Sequence, residues 1–267
     1  MNSKGYILGF NIGNTNTKLG IYHSDEIAPQ IIYTYKTDTG NTAENLVKIV
    51  GSFADTYTEH SGQGKLNIDG IIISSVVPET DEEYRIMARK YFSTDLIEIS
   101  GRSKTGIIIK YDNPENLGAD RIANLVAVFN EYKTDSIIID LGTANTFSII
   151  NKKGNFEGGL IGPGIGISAE ALFKLTSKLP RVDFEKPDKM IALNTVDAVK
   201  SGYFYSTMCM LNGIISEIEK LYNTEYSVVL TGGFSEIISN YLKRKHILDP
   251  ILTMKGIKYI YNMNRIV

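Results

Sequence analysis

The feature that most constrains this chain is a short segment that occurs twice. Residues 10–17 read FNIGNTNT and residues 139–146 read IDLGTANT. Aligning Asn11 with Asp140 gives an offset of 140 − 11 = 129, which holds without a gap and sets Gly13 on Gly142, Asn16 on Asn145 and Thr17 on Thr146. Each copy follows a β-rich run (Tyr6 to Phe10; Ser136 to Ile139) and precedes another (Leu19 to Tyr22; Phe147 to Ile150). Each therefore reads as a hairpin whose tight turn carries glycine and small hydroxyl residues. A period near half the 267-residue length points to a duplicated domain, because solenoid repeats recur every ~20–50 residues.

Between the hairpins, strands alternate with helices. Ile68 to Val77 (IDGIIISSVV) is a continuous apolar run ended by Pro78, the pattern of a strand buried on both faces. Thr80 to Phe92 opens on a capping-box pair, Thr80 and Glu83, and carries helical spacing at Tyr84, Met87, Ala88 and Tyr91. Ala119 to Tyr132 presents Ile122, Leu125, Val126 and Phe129 on one helical face. Thr195 to Tyr222 predicts a long helix, interrupted or bent near Gly202 and Gly213, and Ser227 to Phe234 a buried strand running into a glycine pair. The alternation predicts an α/β protein of two tandem domains with mixed sheets flanked by helices, one over residues 1–117 and one over 118–267.

Composition narrows the partners. A formal charge of −2 supplies no basic field to hold a phosphate backbone, so nucleic acid is not expected. The single Cys209 fits a reducing compartment. No apolar stretch approaches the ~18 residues of a membrane span, and the N-terminal run MNSKGYILGF carries no secretory pattern. The expected location is the cytoplasm, with no membrane partner.

Five places have residues that suit chemistry. In the turn Gly13-Asn14-Thr15-Asn16-Thr17-Lys18, glycine lets backbone approach an anion, while N–H groups and hydroxyls can cradle phosphate oxygens; a plain hairpin rich in turn formers is the alternative. Asp140 ends a buried strand, where a carboxylate needs a cation, a positive side chain or N–H donors, or else ties down its own turn. Five glycines among residues 158–166 suit backbone packed against a ligand or another chain, and Thr231-Gly232-Gly233 after a buried strand suits close passage of a flat ring such as adenine. Asp120 sits at a helix start, either as a first-turn charge worth about 0.3–1 kcal/mol or as a base. His23, His60 and His246 lack ligand spacing, and no GxSxG elbow is present, so neither a zinc site nor a serine hydrolase is expected.

Two glycine–threonine hairpins one domain apart, then a late Gly-Gly, resemble the phosphate-1, phosphate-2 and adenosine motifs of the acetate kinase, hexokinase, heat-shock chaperone and actin superfamily. More specifically, the chain resembles the type III pantothenate kinases. The likeness runs from IGNTNT through SSVVPE, YDNPENLGADRIAN, DLGTANTF, GGLIGPGIGIS, ALFKLTSKLPRV, NTVDAVKSGYFY and TGGF to DPILTMKGI, over about residues 7–261. It implies two actin-like (ribonuclease H-like) domains, a homodimer, and ATP-dependent phosphorylation of pantothenate to 4′-phosphopantothenate, the first step towards coenzyme A. By the same resemblance Asn11, Ile12, Gly13, Asn14, Thr15, Asn16, Thr17, Lys18 and Thr143 would contact ATP. Tyr111, Gly118, Ala119, Asp120, Arg121 and Thr195 would bind pantothenate, with Asp120 as the proton acceptor. Asp140 would hold potassium or ammonium, and Mg²⁺ would accompany ATP. Where the family opens its first motif with aspartate this chain has Asn11, and where aspartate is common after the second motif it has Ser148. The loss of charge at Asn11 leaves the alternative of a weak or non-catalytic relative that binds or regulates. A kinase for another small alcohol, which a changed substrate pocket would favour, is the second alternative.

Overall fold

The computed structural model describes residues 5–62 and 66–265 and divides them into two units, one of residues up to Glu131 together with Ile251 onwards, the other Tyr132–Pro250. Residues 1–4 of the N-terminal run lie outside the described part.

In the first unit, β1 (Tyr6–Ile12) pairs antiparallel with β2 (Asn16–His23), which pairs antiparallel with β3 (Ile31–Lys36). On the other side of β1, β4 (Ile68–Ser75) and then β5 (Leu96–Glu98) run parallel, giving the order β3-β2-β1-β4-β5. The apolar runs expected to be strands are buried on both faces because helices cover the sheet. α1 (Ala43–Ser61) and α2 (Pro78–Phe92) contribute Leu46, Val50, Phe53, Tyr84 and Met87 to a core with Leu8, Phe10, Ile71 and Ile73. The unit also holds the two-residue β6 (Ile108–Ile109), a 3₁₀ turn at Pro114–Asn116 and α3 (Ala119–Glu131).

The second unit repeats the plan. β7 (Ser136–Leu141), β8 (Ala144–Ile150) and β9 (Asn155–Pro163) are antiparallel, while β10 (Ser227–Thr231) and β11 (His246–Leu248) continue parallel from β7, so its strands run β9-β8-β7-β10-β11. α4 (Ile165–Lys174), α5 (Thr195–Tyr222) and the short α6 (Ser235–Ser239) belong to this unit. Leu211 and Ile215 of α5 pack with Ile137, Ile139, Phe147, Val228 and Leu230. Both copies of the repeated segment are β-hairpins at the same place in the same strand order, which is the signature of duplication.

Three local expectations are corrected. The division falls after Glu131, whereas the sequence suggested a boundary at 117/118, because α3 packs on α7 (Leu252–Asn264) from the far end of the chain. Gly256 brings the two backbones together, since a Cβ there would lie 1.9 Å from Ala123 O, and Thr253 Oγ1 donates to the buried Asn124 Oδ1 at 2.8 Å. Thr80 and Glu83 form no capping box: α2 starts at Pro78, and Glu83 Oε2 instead accepts from Ala43 N, 2.6 Å away at the start of α1. α5 runs through Gly202 and Gly213 as one 28-residue element. Neither glycine has a neighbour within 4 Å of its Cβ direction, so each marks space beside the helix rather than a break.

Candidate active site

The first unit builds its turn from β1 and β2. Ile12 pairs with Thr17, and Gly13 N donates to Asn16 O at 3.1 Å, leaving Asn14, Thr15 and Asn16 exposed at the tip. Asn11 pairs with Lys18 across the hairpin and with Ser74 on β4. Thr17 is turned inward, 1 % exposed, with its hydroxyl 2.9 Å from that of Thr37. Ile12 is likewise buried. Of the eight residues expected to meet ATP from this hairpin, those two face the fold.

The same unit carries the Gly118–Arg121 segment. Asp120 lies in the first turn of α3, where Arg121 N donates to its Oδ1 at 2.7 Å. Burial raises its pKa above the ordinary carboxylate value, and the Arg121 amide and guanidinium oppose that only in part. Gly118 leaves the carboxylate its room, because a Cβ there would sit 2.7 Å from Asp120 Oδ1. Ala119 and Arg121 are buried, at 5 % and 6 % exposure, and hold the start of α3 in the core. Tyr111 lies on the loop before the 3₁₀ turn and is 37 % exposed.

In the second unit two further loops pack on Asp140 and the turn that follows it. Gly142 N donates to Ala144 O at 3.2 Å to close the β7–β8 turn, which carries the exposed Thr143. Gly164, the N-cap of α4, packs on that turn so closely that a Cβ would lie 2.1 Å from Thr143 O. Gly232, with φ of 92°, passes so near that a Cβ would lie 2.5 Å from Asp140 Oδ1. The Asp140 carboxylate thus lies in a cradle of glycine backbone, with Gly142 and Gly232 beside its Oδ1. No group of three or more His, Cys, Asp or Glu side chains among the described residues is placed to hold a metal. Thr195 opens α5 and is exposed beside a shallow hollow of about 520 Å³ that Leu179, Leu193 and Val199 help to line; Asn194 caps the helix through Asp197 N at 2.9 Å.

Sequence reasoning passed over Thr37 and placed neither the contact of Gly164 with Thr143 nor that of Gly232 with Asp140. The glycines were visible as glycines, but their partners are fixed only by tertiary packing. The structure also has no helix long and apolar enough to cross a membrane among the described residues.

A family model described as type III pantothenate kinase matches residues 7–217. A type III pantothenate kinase of Halalkalibacterium halodurans is 38% identical over 258 residues, covering 97% of this chain and 99% of the relative. One from a Geobacillus species is 39% identical over 258 residues, covering 97% and 98%. Among solved structures, a Baf family transcriptional activator from Campylobacter jejuni superposes with a TM-score of 0.60 at 20% identity, over 96% of this chain and 98% of that one. Ethanolamine utilization protein EutJ from Carboxydothermus hydrogenoformans gives 0.56 at 15% identity, over 97% and 90%. At such identities these structures speak for the fold alone: two tandem actin-like α/β domains with mixed sheets flanked by helices. The likeness to the named kinases extends over nearly the whole length on both sides, and the chain belongs to the type III pantothenate kinase family.

Proposed function

We propose that this protein transfers the terminal phosphoryl group of ATP to the primary alcohol of pantothenate, giving 4′-phosphopantothenate and ADP on the way to coenzyme A. The observation that carries the reading is Asp120, a half-buried carboxylate held by Arg121 N and given room by Gly118, in a family whose members bear this activity by name. An alcohol is a poor nucleophile near neutral pH, so its proton must leave as the new P–O bond forms. A carboxylate with a raised pKa accepts it more readily than an ordinary one. The alcohol oxygen bonds to the γ-phosphorus, the bond to ADP breaks, and the proton ends on Asp120.

The remaining task is positioning and charge neutralisation. The exposed tip Asn14-Thr15-Asn16 and Thr143 would bind phosphate oxygens, with Asn11 and Lys18 flanking the first turn. Tyr111, Gly118, Ala119, Arg121 and Thr195 would bind pantothenate. Asp140 would hold potassium or ammonium, and a divalent ion arriving with ATP would neutralise phosphate charge. Asn11 offers that ion a neutral oxygen in place of a charged one. Pantothenate-dependent ADP release is the test. Asn11→Asp is expected to lower the Mg²⁺ concentration for half-maximal rate severalfold. Silence of both the parent and Asn11→Asp with pantothenate would defeat the assignment.

We place the protein in the cytoplasm, where its two substrates are found, as a homodimer. The second unit leaves Leu175, Ile191 and Leu221 largely exposed and Leu193 97 % exposed, and a groove of about 590 Å³ between α5 and β9 is lined by Leu160, Ile214 and Leu221. Apolar surface on this scale marks an interface. Sedimentation equilibrium is expected to give twice 29.6 kDa, and Leu221→Glu to shift the protein towards that single-chain mass. A parent that sediments as one chain at micromolar concentration would contradict the dimer.

A further inference from the structure

We infer that Thr37, which no motif of the chain includes, is a positioning residue that sets the phosphate-facing geometry of the first turn. It follows β3 and reaches back to the turn twice. Its hydroxyl donates to Gly13 O at 2.6 Å, and its backbone N–H donates to Thr15 O at 3.1 Å. In a trans peptide the C=O and the N–H point in opposite directions. Fixing the carbonyls of Gly13 and Thr15 towards Thr37 therefore turns the N–H groups of Asn14 and Asn16 away from it. Two peptide planes of a four-residue turn are thereby set by one side residue, at positions whose side chains are exposed.

The direction of each hydrogen bond supports a fixed arrangement. The one hydroxyl proton of Thr37 goes to Gly13 O, so the 2.9 Å contact with Thr17 must run from the Thr17 hydroxyl to Thr37 Oγ1. Thr17 is 1 % exposed, and behind it the hydroxyls of Tyr35 and Tyr84 meet at 2.9 Å. Both tyrosine pKa values are raised, chiefly by burial, so these phenols stay neutral and remain donors across the working pH range. The hydroxyl of Thr17 is spent on the fold, and the turn is left to act through its backbone and its exposed tip. Glycine at 13 allows the peptide after it to flip at little cost, which is why an external anchor on its carbonyl matters. Donors held in place before the anion arrives bind it without reorganisation.

This inference rests on the reading that the first turn meets ATP, and the experiment separates the two. Thr37→Val keeps the shape and removes the hydroxyl, and Thr37→Ser restores it. Thr37→Val is expected to raise KM for ATP roughly five- to ten-fold, the scale of one lost hydrogen bond, while KM for pantothenate stays within about two-fold. ATP binding measured by calorimetry should weaken in step, and Thr37→Ser should recover most of both. Asn14→Pro, which removes one of the two N–H groups, serves as the control on the turn itself. If that variant leaves ATP affinity unchanged, the turn does not meet ATP and the proposal falls with the reading. If it weakens ATP binding but Thr37→Val does not, the positioning role alone is overturned. Should Thr37→Val fail to fold, Thr37→Ala against Thr37→Ser gives the same comparison, and equal ATP affinity in those two would overturn it.

Discussion

Asp120→Asn is expected to lower kcat by roughly 10²–10⁴-fold, the span usual for a general base, with ATP affinity nearly unchanged. The amide oxygen can accept the same bond from Arg121 N, now 2.7 Å from Oδ1, so the start of α3 keeps its geometry while the proton acceptor is lost. Stability should move the other way. Burial raises the Asp120 pKa, so its ionised form is disfavoured in the folded state and the stability it contributes when protonated is lost as pH rises through the folded pKa. A neutral amide escapes that loss, and the variant's Tm at neutral pH should not fall below the parent's. In the parent, kcat/KM should drop as pH falls through a midpoint above the ordinary carboxylate range of about 4. Full activity in Asp120→Asn, or an acid limb unchanged between parent and variant, would remove Asp120 from the role of base.

The duplicated architecture was legible because its signal is local: two hairpins that share glycine, asparagine and threonine at the same offsets, each set in apolar runs, became β1–β2 and β7–β8 in matching strand orders. The ownership of α3 was not, because it depends on α7 and on Gly256, a glycine whose meaning is a contact with Ala123 far away in sequence. Glu83 was misread for a related reason. Its spacing from Thr80 satisfied a local pattern, but the carboxylate serves the N-terminus of another helix. In the candidate site the motif residues stood out by composition, and Asp120 by its place at a helix start. What stayed hidden was how each is held. Thr37 looks like one more hydroxyl in a turn-forming stretch until the fold brings it to Gly13, 24 residues earlier in the chain.

The Asp140 cradle yields the other large effect. Gly232 has φ of 92°, and a Cβ on it would lie 2.5 Å from both Asp140 Oδ1 and Leu141 N. Gly232→Ala must therefore strain its own backbone and push on β7, at a combined cost of roughly 3 kcal/mol, which should lower Tm by about 10 °C. Gly142→Ala is the contrast, since its Cβ would stand 3.4 Å from the same carboxylate oxygen in ordinary contact, and its Tm should barely change. Asp140→Asn removes the charge and leaves the glycines in place. If Asp140 holds the monovalent cation, the parent should run faster in potassium or ammonium than in sodium, and Asp140→Asn should fall to the sodium rate in every salt with little change in Tm. Gly232→Ala should lose both the cation response and the stability, because displacing the carboxylate is as damaging to the cradle as neutralising it. Equal rates in sodium and potassium for the parent would take the cation away from Asp140. A cation response that survives in Asp140→Asn would move it to other oxygens, and the close passage of Gly232 would then be a matter of packing alone.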